Sequence, residues 1–114
     1  MTTVKTSELT GAALDWAVAK CEGYSKDTSN ATEFAVRRRM FGVHKWSTLW
    51  QLAGPIIERE GMTIAFDAYG WEARHYDGES EPRVFVGATP LIAAMRCYVA
   101  SKLGDEVEIS EGLM

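Results

Sequence analysis

Between residues 7 and 22, Leu9, Ala13, Trp16 and Ala17 fall on one helical face, with Leu14, Val18 and Cys21 beside them. That spacing predicts an amphipathic helix. Thr6 or Ser7 offers a hydroxyl to its free first-turn N–H groups. Gly23, tolerant of positive φ, supplies the stop. Glu8, Asp15 and Glu22 stand seven apart on the opposite side, as an acidic stripe expected to face solvent. Residues 24–30 are polar and turn-rich and read as loop. Residues 31–40 suit a short helix carrying Phe34, Val36 and Met40, with Arg37, Arg38 and Arg39 inside it. The whole stretch 24–45 reads as an insertion or loop that folds over something.

A second main helix is expected over 47–60. Ser47 and Thr48 offer capping hydroxyls, and Leu49, Leu52 and Ile56 share a side with Glu60. Pro55 lies inside it, where a missing N–H and a ring clash should bend or restart the helix. The period then changes to two. Met62, Ile64 and Phe66 share one face of a strand. Residues 67–70 form a turn. Trp71, Ala73 and His75 then alternate with Glu72, Arg74 and Tyr76. Asp77-Gly78 is a turn signal, and residues 83–86 make a third short strand. The last helix has Thr89 as cap, Pro90 in its first position and Gly104 just past its end. Residues 91–103 are apolar almost all round, which makes this helix central. The acidic tail 105–114 is expected to fray. The pattern is α+β, an antiparallel meander of about three strands packed with three main helices in one domain, 1–114.

Composition narrows the function. With 114 residues, 46% of them apolar and 25% charged, the chain matches an ordinary globular domain. It should bury roughly two thirds of its unfolded surface. A net charge of −4 speaks against a duplex nucleic-acid binder and a polybasic membrane surface, although Arg37–Arg39 form a local basic run. Cys21 and Cys97 read as free thiols of a reducing compartment, and a count of two leaves one disulfide open. No signal peptide and no run near the ~20 apolar residues of a membrane span is present. The chain is therefore expected to stay in the compartment where it is made.

Candidate chemistry is of the binding kind. Trp46 and Trp50, one helical turn apart, can stack a planar ring while Ser47, Thr48 and the helix N-terminal N–H groups hold an anion. They equally suit a hydrophobic staple with a simple cap. Arg96, a charge inside an apolar helix, needs a carboxylate, water or an anionic ligand, or it snorkels. Arg37–Arg39 with Lys45 can neutralise phosphates or form a solvated face. Trp71, Arg74 and Tyr76 suit a cation–π platform or plain sheet packing. His44 and His75 lack partners at metal spacing, and no nucleophile or phosphate-loop motif is present. Neither a metal nor a cofactor is expected.

Three ordered segments resemble a known family. They are residues 5–20 (KTSELTGAALDWAVAK), Trp46-Ser47-Thr48-Leu49-Trp50 followed by residues 54–61 (GPIIEREG), and residues 88–107 (ATPLIAAMRCYVASKLGDEV). Together they resemble the NinX-like family of tailed-phage accessory proteins, whose function is unassigned. The family carries an acidic residue where this chain has Leu49, and glycine where it has Ala53. The resemblance implies a small helix–sheet–helix sandwich and a phage or prophage product working in the bacterial cytoplasm. The resemblance further implies action by binding, since small accessory proteins of this kind often bind a host protein or a signalling metabolite. The leading expectation is a non-catalytic, homo-oligomeric protein that sequesters a small anionic ligand such as a nucleotide. The alternatives are a module that binds a host factor through exposed aromatics and residues 24–45, and an enzyme with an unrecognised site.

Overall fold

The computed structural model describes residues 1–24, 30–76, 78 and 81–113. The helix over Pro90–Leu103, α4 once the chain is numbered in order, forms as its local signals dictate. Thr89 Oγ1 accepts the Ile92 N–H at 3.2 Å, Pro90 needs no N–H partner, and the Gly104 N–H returns to the Ala100 carbonyl at 3.0 Å. Leu91, Ala93, Ala94, Met95, Cys97, Tyr98, Val99 and Ala100 are all buried. A helix buried on so many sides must be covered by several elements.

The other elements supply that cover. In chain order they are β1 (Thr2–Lys5), α1 (Gly11–Cys21), α2 (Ala31–Phe41), α3 (Trp50–Glu60), β2 (Thr63–Asp67), β3 (Gly70–His75), β4 (Arg83–Gly87), α4 and β5 (Glu106–Ile109), with 3₁₀ turns at Thr6–Glu8 and Glu111–Leu113. β2, β3 and β4 form the expected antiparallel meander. Its register sets Ile64 beside Ala73 and Ala73 beside Phe85, and this row faces α4, with Ala73 fully buried. The alternate row, Thr63, Ala65, Arg74, Val84 and Val86, is exposed, as one face of an antiparallel sheet commonly is. α1 and α3 also pack on α4. The α+β class therefore holds, with four α-helices and two sheets among the described residues.

Several expectations are corrected. The first helix begins at Gly11, four residues late, because Thr6 is used elsewhere. Its N–H donates to the Asp105 carbonyl at 2.8 Å and its hydroxyl to the Gly104 carbonyl at 2.7 Å. The acidic tail does not fray between 106 and 109. β5 pairs antiparallel with β1 and buries Val107 and Ile109, so apolar burial outweighs the repulsion of its glutamates. α3 begins at Trp50, three residues late, and runs through Pro55 without restarting. The carbonyl that loses its donor there belongs to exposed Gln51, where water can replace it. α2 matches its expected span, capped by Asn30 Oδ1 accepting the Glu33 N–H at 3.0 Å and closed by Gly42 at φ +68°. The loop expected at 24–30 and the turn at Asp77-Gly78 fall in part outside the described residues.

Candidate functional site

The turn that leads into α3 sets the site. The Thr48 and Leu49 N–H groups both donate to the Lys45 carbonyl, at 3.1 and 2.9 Å. This tight turn directs the Ser47 N–H inward, where it donates to Asp15 Oδ1 at 2.8 Å. Asp15 is fully buried and also takes the Arg38 Nε at 2.5 Å. Burial pushes its carboxyl above the ordinary range, and the bonds from Arg38 and Ser47 partly offset that push. The reading of Asp15 as part of a solvated stripe is thereby corrected. Its carboxylate holds the turn that leads into α3 through the Ser47 N–H. Glu22, at the end of the same stripe, is also engaged. It accepts from Arg59 Nη2 at 2.9 Å and from the Tyr98 hydroxyl at 2.5 Å.

Ser47 is 3% exposed, and its hydroxyl is the buried side-chain polar atom without a hydrogen-bond partner among the described residues. It lines one wall of a cleft of about 280 Å³ with Thr48 and Trp50, while Thr89, Pro90, Leu91 and Ile92 line the other. Trp50 is 56% exposed, so its ring is free to pack on a ligand. Both α3 and α4 begin at this cleft. Three of the sequence-level candidates, Ser47, Thr48 and Trp50, thus come together, facing the Thr-Pro start of α4. Sequence reading found that start only as a helix signal. Its partner wall is some forty residues away in the chain, and no local pattern records such a meeting.

Trp46 does not join them. It is buried in a separate stack, where the His44 ring lies parallel to Phe34 at 5.4 Å and nearly parallel to Trp46 at 5.2 Å. Tyr24 meets His44 edge-on at 5.0 Å. His44 adopts φ +62°, a left-handed conformation that histidine tolerates better than most side chains. The expectation that Trp46 and Trp50 sit one helical turn apart fails because the helix starts only at Trp50. Trp46 instead lines a second cavity of about 440 Å³ with Tyr24, Phe41, Gly42, Val43, His44, Gln51 and Leu52.

The remaining candidates are dispersed. Arg96 reaches neither a carboxylate nor the cleft. Its Nε donates to the Leu9 carbonyl at 2.6 Å and its Nη1 to the Val86 carbonyl at 2.9 Å. Burial pushes its pKa down, and the charge of Glu8 opposes this. Trp71 lies on the α4-facing row of β3 with its ring 4.9 Å from Phe66. Arg74 points to the opposite face and pairs with Glu72 at 2.9 Å. The two therefore share no platform. Within α2, Arg37 pairs with Glu33 at 3.0 Å and Arg38 turns inward to Asp15, so the basic run does not present three parallel charges.

Sequence reasoning missed one cluster entirely. Glu60 lies 3.4 Å from His75 Nε2 and 3.8 Å from Lys102 Nζ, next to the Glu22–Arg59–Tyr98 group. It joins α1, α3, β3 and α4 where they end. Among the described residues no group of three His, Cys, Asp or Glu side chains is placed to hold a metal, and no helix is long and apolar enough to cross a membrane.

Comparison with curated proteins gives no match. A family model described as Bacteriophage P22, NinX matches residues 5–102. That span takes in α1 to α3, the meander, α4 but for its last residue, and both walls of the cleft. The chain belongs to the bacteriophage P22 NinX family.

Proposed function

We propose that this phage accessory protein is a non-catalytic binding protein of the host cytoplasm. Its task is to sequester a small anionic ligand, such as a nucleotide, in the cleft between Ser47–Trp50 and the start of α4. One observation carries the reading. A buried hydroxyl without a partner is unfavourable by about 1–3 kcal/mol, and Ser47 holds one in the wall of a cleft. A bound acceptor would satisfy it once the wall shifts to uncover the oxygen, which is sealed beneath the surface. Trp50 adds an exposed flat surface at the same place. Assembly into a homo-oligomer belongs to the same proposal, since Phe66, Val84 and Val86 leave apolar surface on the meander exposed.

Native mass spectrometry of protein isolated from bacterial cells tests this directly. The expected spectrum shows a small mass retained on the folded oligomer and released on unfolding. Ser47→Ala should weaken its retention at least tenfold without lowering the melting temperature, because the removed group has no partner to lose. Trp50→Ala should abolish retention. Absence of any bound mass, together with no response to a panel of nucleotides, would refute the reading.

A second reading has its own support. Tyr24, Met40, Phe41 and Val43 are exposed, and all but Met40 line the 440 Å³ cavity. Exposed apolar clusters of this kind mark protein contacts. If a host protein is the partner, Phe41→Ser should break the complex while Ser47→Ala leaves it intact.

A further inference from the structure

We infer that the open edge of β2 is an interaction surface for a second copy of this chain, with two β2 strands pairing antiparallel about a two-fold axis at Ala65. The inference rests on the homo-oligomer reading above and names the surface that carries it.

The direction of the backbone groups follows from the hairpin. Asp67 pairs with Gly70 across Ala68 and Tyr69. This pair must be one that exchanges hydrogen bonds, because the other kind would need a further bond between the adjacent residues Ala68 and Tyr69. Bonded and non-bonded pairs alternate along an antiparallel ladder. Ala65–Glu72 and Thr63–Arg74 are therefore bonded, and Ile64 and Phe66 turn their N–H and C=O groups away from β3. Among the described residues no hydrogen bond reaches these groups. The same alternation carried across β3 turns Val84 and Val86 outward on β4. There the Val86 carbonyl accepts from Arg96 Nη1 at 2.9 Å. One edge of the meander is thus partly covered, and the other is open.

Nothing within β2 guards that open edge. Natural sheets blunt a free edge with lysine, proline or a bulge. Thr63-Ile64-Ala65-Phe66-Asp67 has no lysine and no proline, and it pairs with β3 in consecutive register without a bulge. α4 packs mainly over β3 and β4, so β2 lies outside its cover and Phe66 is 67% exposed.

The strand is complementary to itself. With Ala65 on the axis, Ile64 stands opposite Phe66 of the second copy, and Thr63 stands opposite its Asp67. The outward groups of Ile64 and Phe66 then meet as bonded pairs, and each N–H finds a carbonyl. Their side chains share one face, so each exposed ring gains an aliphatic neighbour across the join. Asp67, the charged residue of the strand, meets a hydroxyl, so no like charges oppose each other. The two meanders become one continuous sheet, by strand addition at an edge. The match of side chains as well as backbone favours a second copy over an unrelated extended peptide.

Ala65→Lys and Ala65→Glu test the pairing. Ala65 is exposed, so either variant leaves the folded protomer intact, as circular dichroism would check, while setting like charges face to face on the axis. In sedimentation at millimolar concentration, each variant should fall to half the wild-type mass, with the dissociation constant raised about tenfold or more. Mixing the two variants should restore the wild-type mass, since lysine then faces glutamate. Hydrogen exchange should show the Ile64 and Phe66 amides protected in the wild type and released in each variant. A wild-type monomer would overturn the pairing together with the homo-oligomer reading. An assembly that does not halve in the variants, or is not restored by mixing, would overturn the pairing alone and leave assembly to another face, such as that of Val84 and Val86. Ligand retention in the cleft is read separately and is touched by neither result.

Discussion

Asp15 shows how one side chain ties three segments together. Its carboxylate is buried in α1 and receives Arg38 from α2 and the Ser47 N–H from the turn before α3. Removing one partner of such a pair leaves a buried charge uncompensated. Arg38 is itself 22% exposed in its side chain, which moderates the effect. Arg38→Ala should lower stability by about 2–4 kcal/mol, read by urea denaturation at pH 7. Adding Asp15→Asn should recover much of that loss, because asparagine still accepts from Ser47 without carrying charge. The pH dependence has a definite sign. Burial raises the folded pKa of Asp15 above its ordinary 3.8, so the folded state holds the proton more tightly than the unfolded state. This group's contribution therefore falls as pH rises from 3.8 through the raised folded value. Arg38→Ala should steepen that fall.

Glu22 works in the opposite sense. Burial pushes its carboxyl up, but the bonds from Arg59 and Tyr98 prevail and hold it below its ordinary 4.5. Its contribution is present above 4.5 and is lost as pH drops through the lowered value. Glu22→Gln should thus destabilise at pH 7 and make little difference at pH 3, by thermal melts at the two pH values. The thiols follow the same logic of burial. Cys97 is pushed up to about 11 and Cys21 to about 12, each by desolvation first. Neither should react with a thiol-exchange reagent at pH 8 on the scale of minutes, and both should react once urea unfolds the chain.

At the scale of elements, legibility followed the locality of the signal. α4 was read to the residue because its cap, its proline and its closing glycine act within one turn of its ends. α2 was placed from Phe34, Val36 and Met40 alone, and its cap at Asn30 and its close at Gly42 emerge only in the structure. α3 and α1 were placed too early, since Thr6 and Thr48 serve other bonds and the Ser47 hydroxyl makes none. Thr6 fastens the chain to residues 104 and 105, and Thr48 Oγ1 leans back to the Lys45 carbonyl at 3.4 Å. A hydroxyl near a helix start is thus an ambiguous signal until the tertiary partners are known. The meander was legible from its period of two, but the close approach of Gly87 to α4 was not. At Gly87 an added Cβ would meet the Ala93 nitrogen at 2.7 Å and the Ile92 Cγ2 at 2.9 Å. The backbone of β4 can approach α4 only because no side chain intervenes. Gly87→Ala should therefore lower stability by about 1–3 kcal/mol and shift NMR signals of Ile92 in the cleft wall, linking sheet packing to the site.

At the scale of the molecule, what could not be read is what brings distant segments together. The cleft joins residues 47–50 to residues 89–92, and the smaller sheet joins β1 to β5 at the two ends of the described chain. An acidic segment of alternating Glu106, Val107, Glu108 and Ile109 looks like a solvated tail unless a partner strand is known to cover its apolar side. Here β1 does so in exact register, Val4 beside Val107 and Thr2 beside Ile109, and the glutamates point away. Val107, Ile109 and Leu113 are buried in the core cluster with Leu9 and Ala13 of the first helix region. Burying each such side chain is worth about 1.5–3 kcal/mol, and the sum is a large part of the 5–15 kcal/mol that holds a typical domain. Ending the chain after Gly104 should therefore unfold it or leave β1 and the 3₁₀ turn at Thr6–Glu8 unprotected. Hydrogen exchange would show this at Val4 and Thr6, whose N–H groups rely on β5 and on Asp105. If the shortened chain keeps full protection at both residues and an unchanged melting temperature, the second sheet is not part of what stabilises this fold.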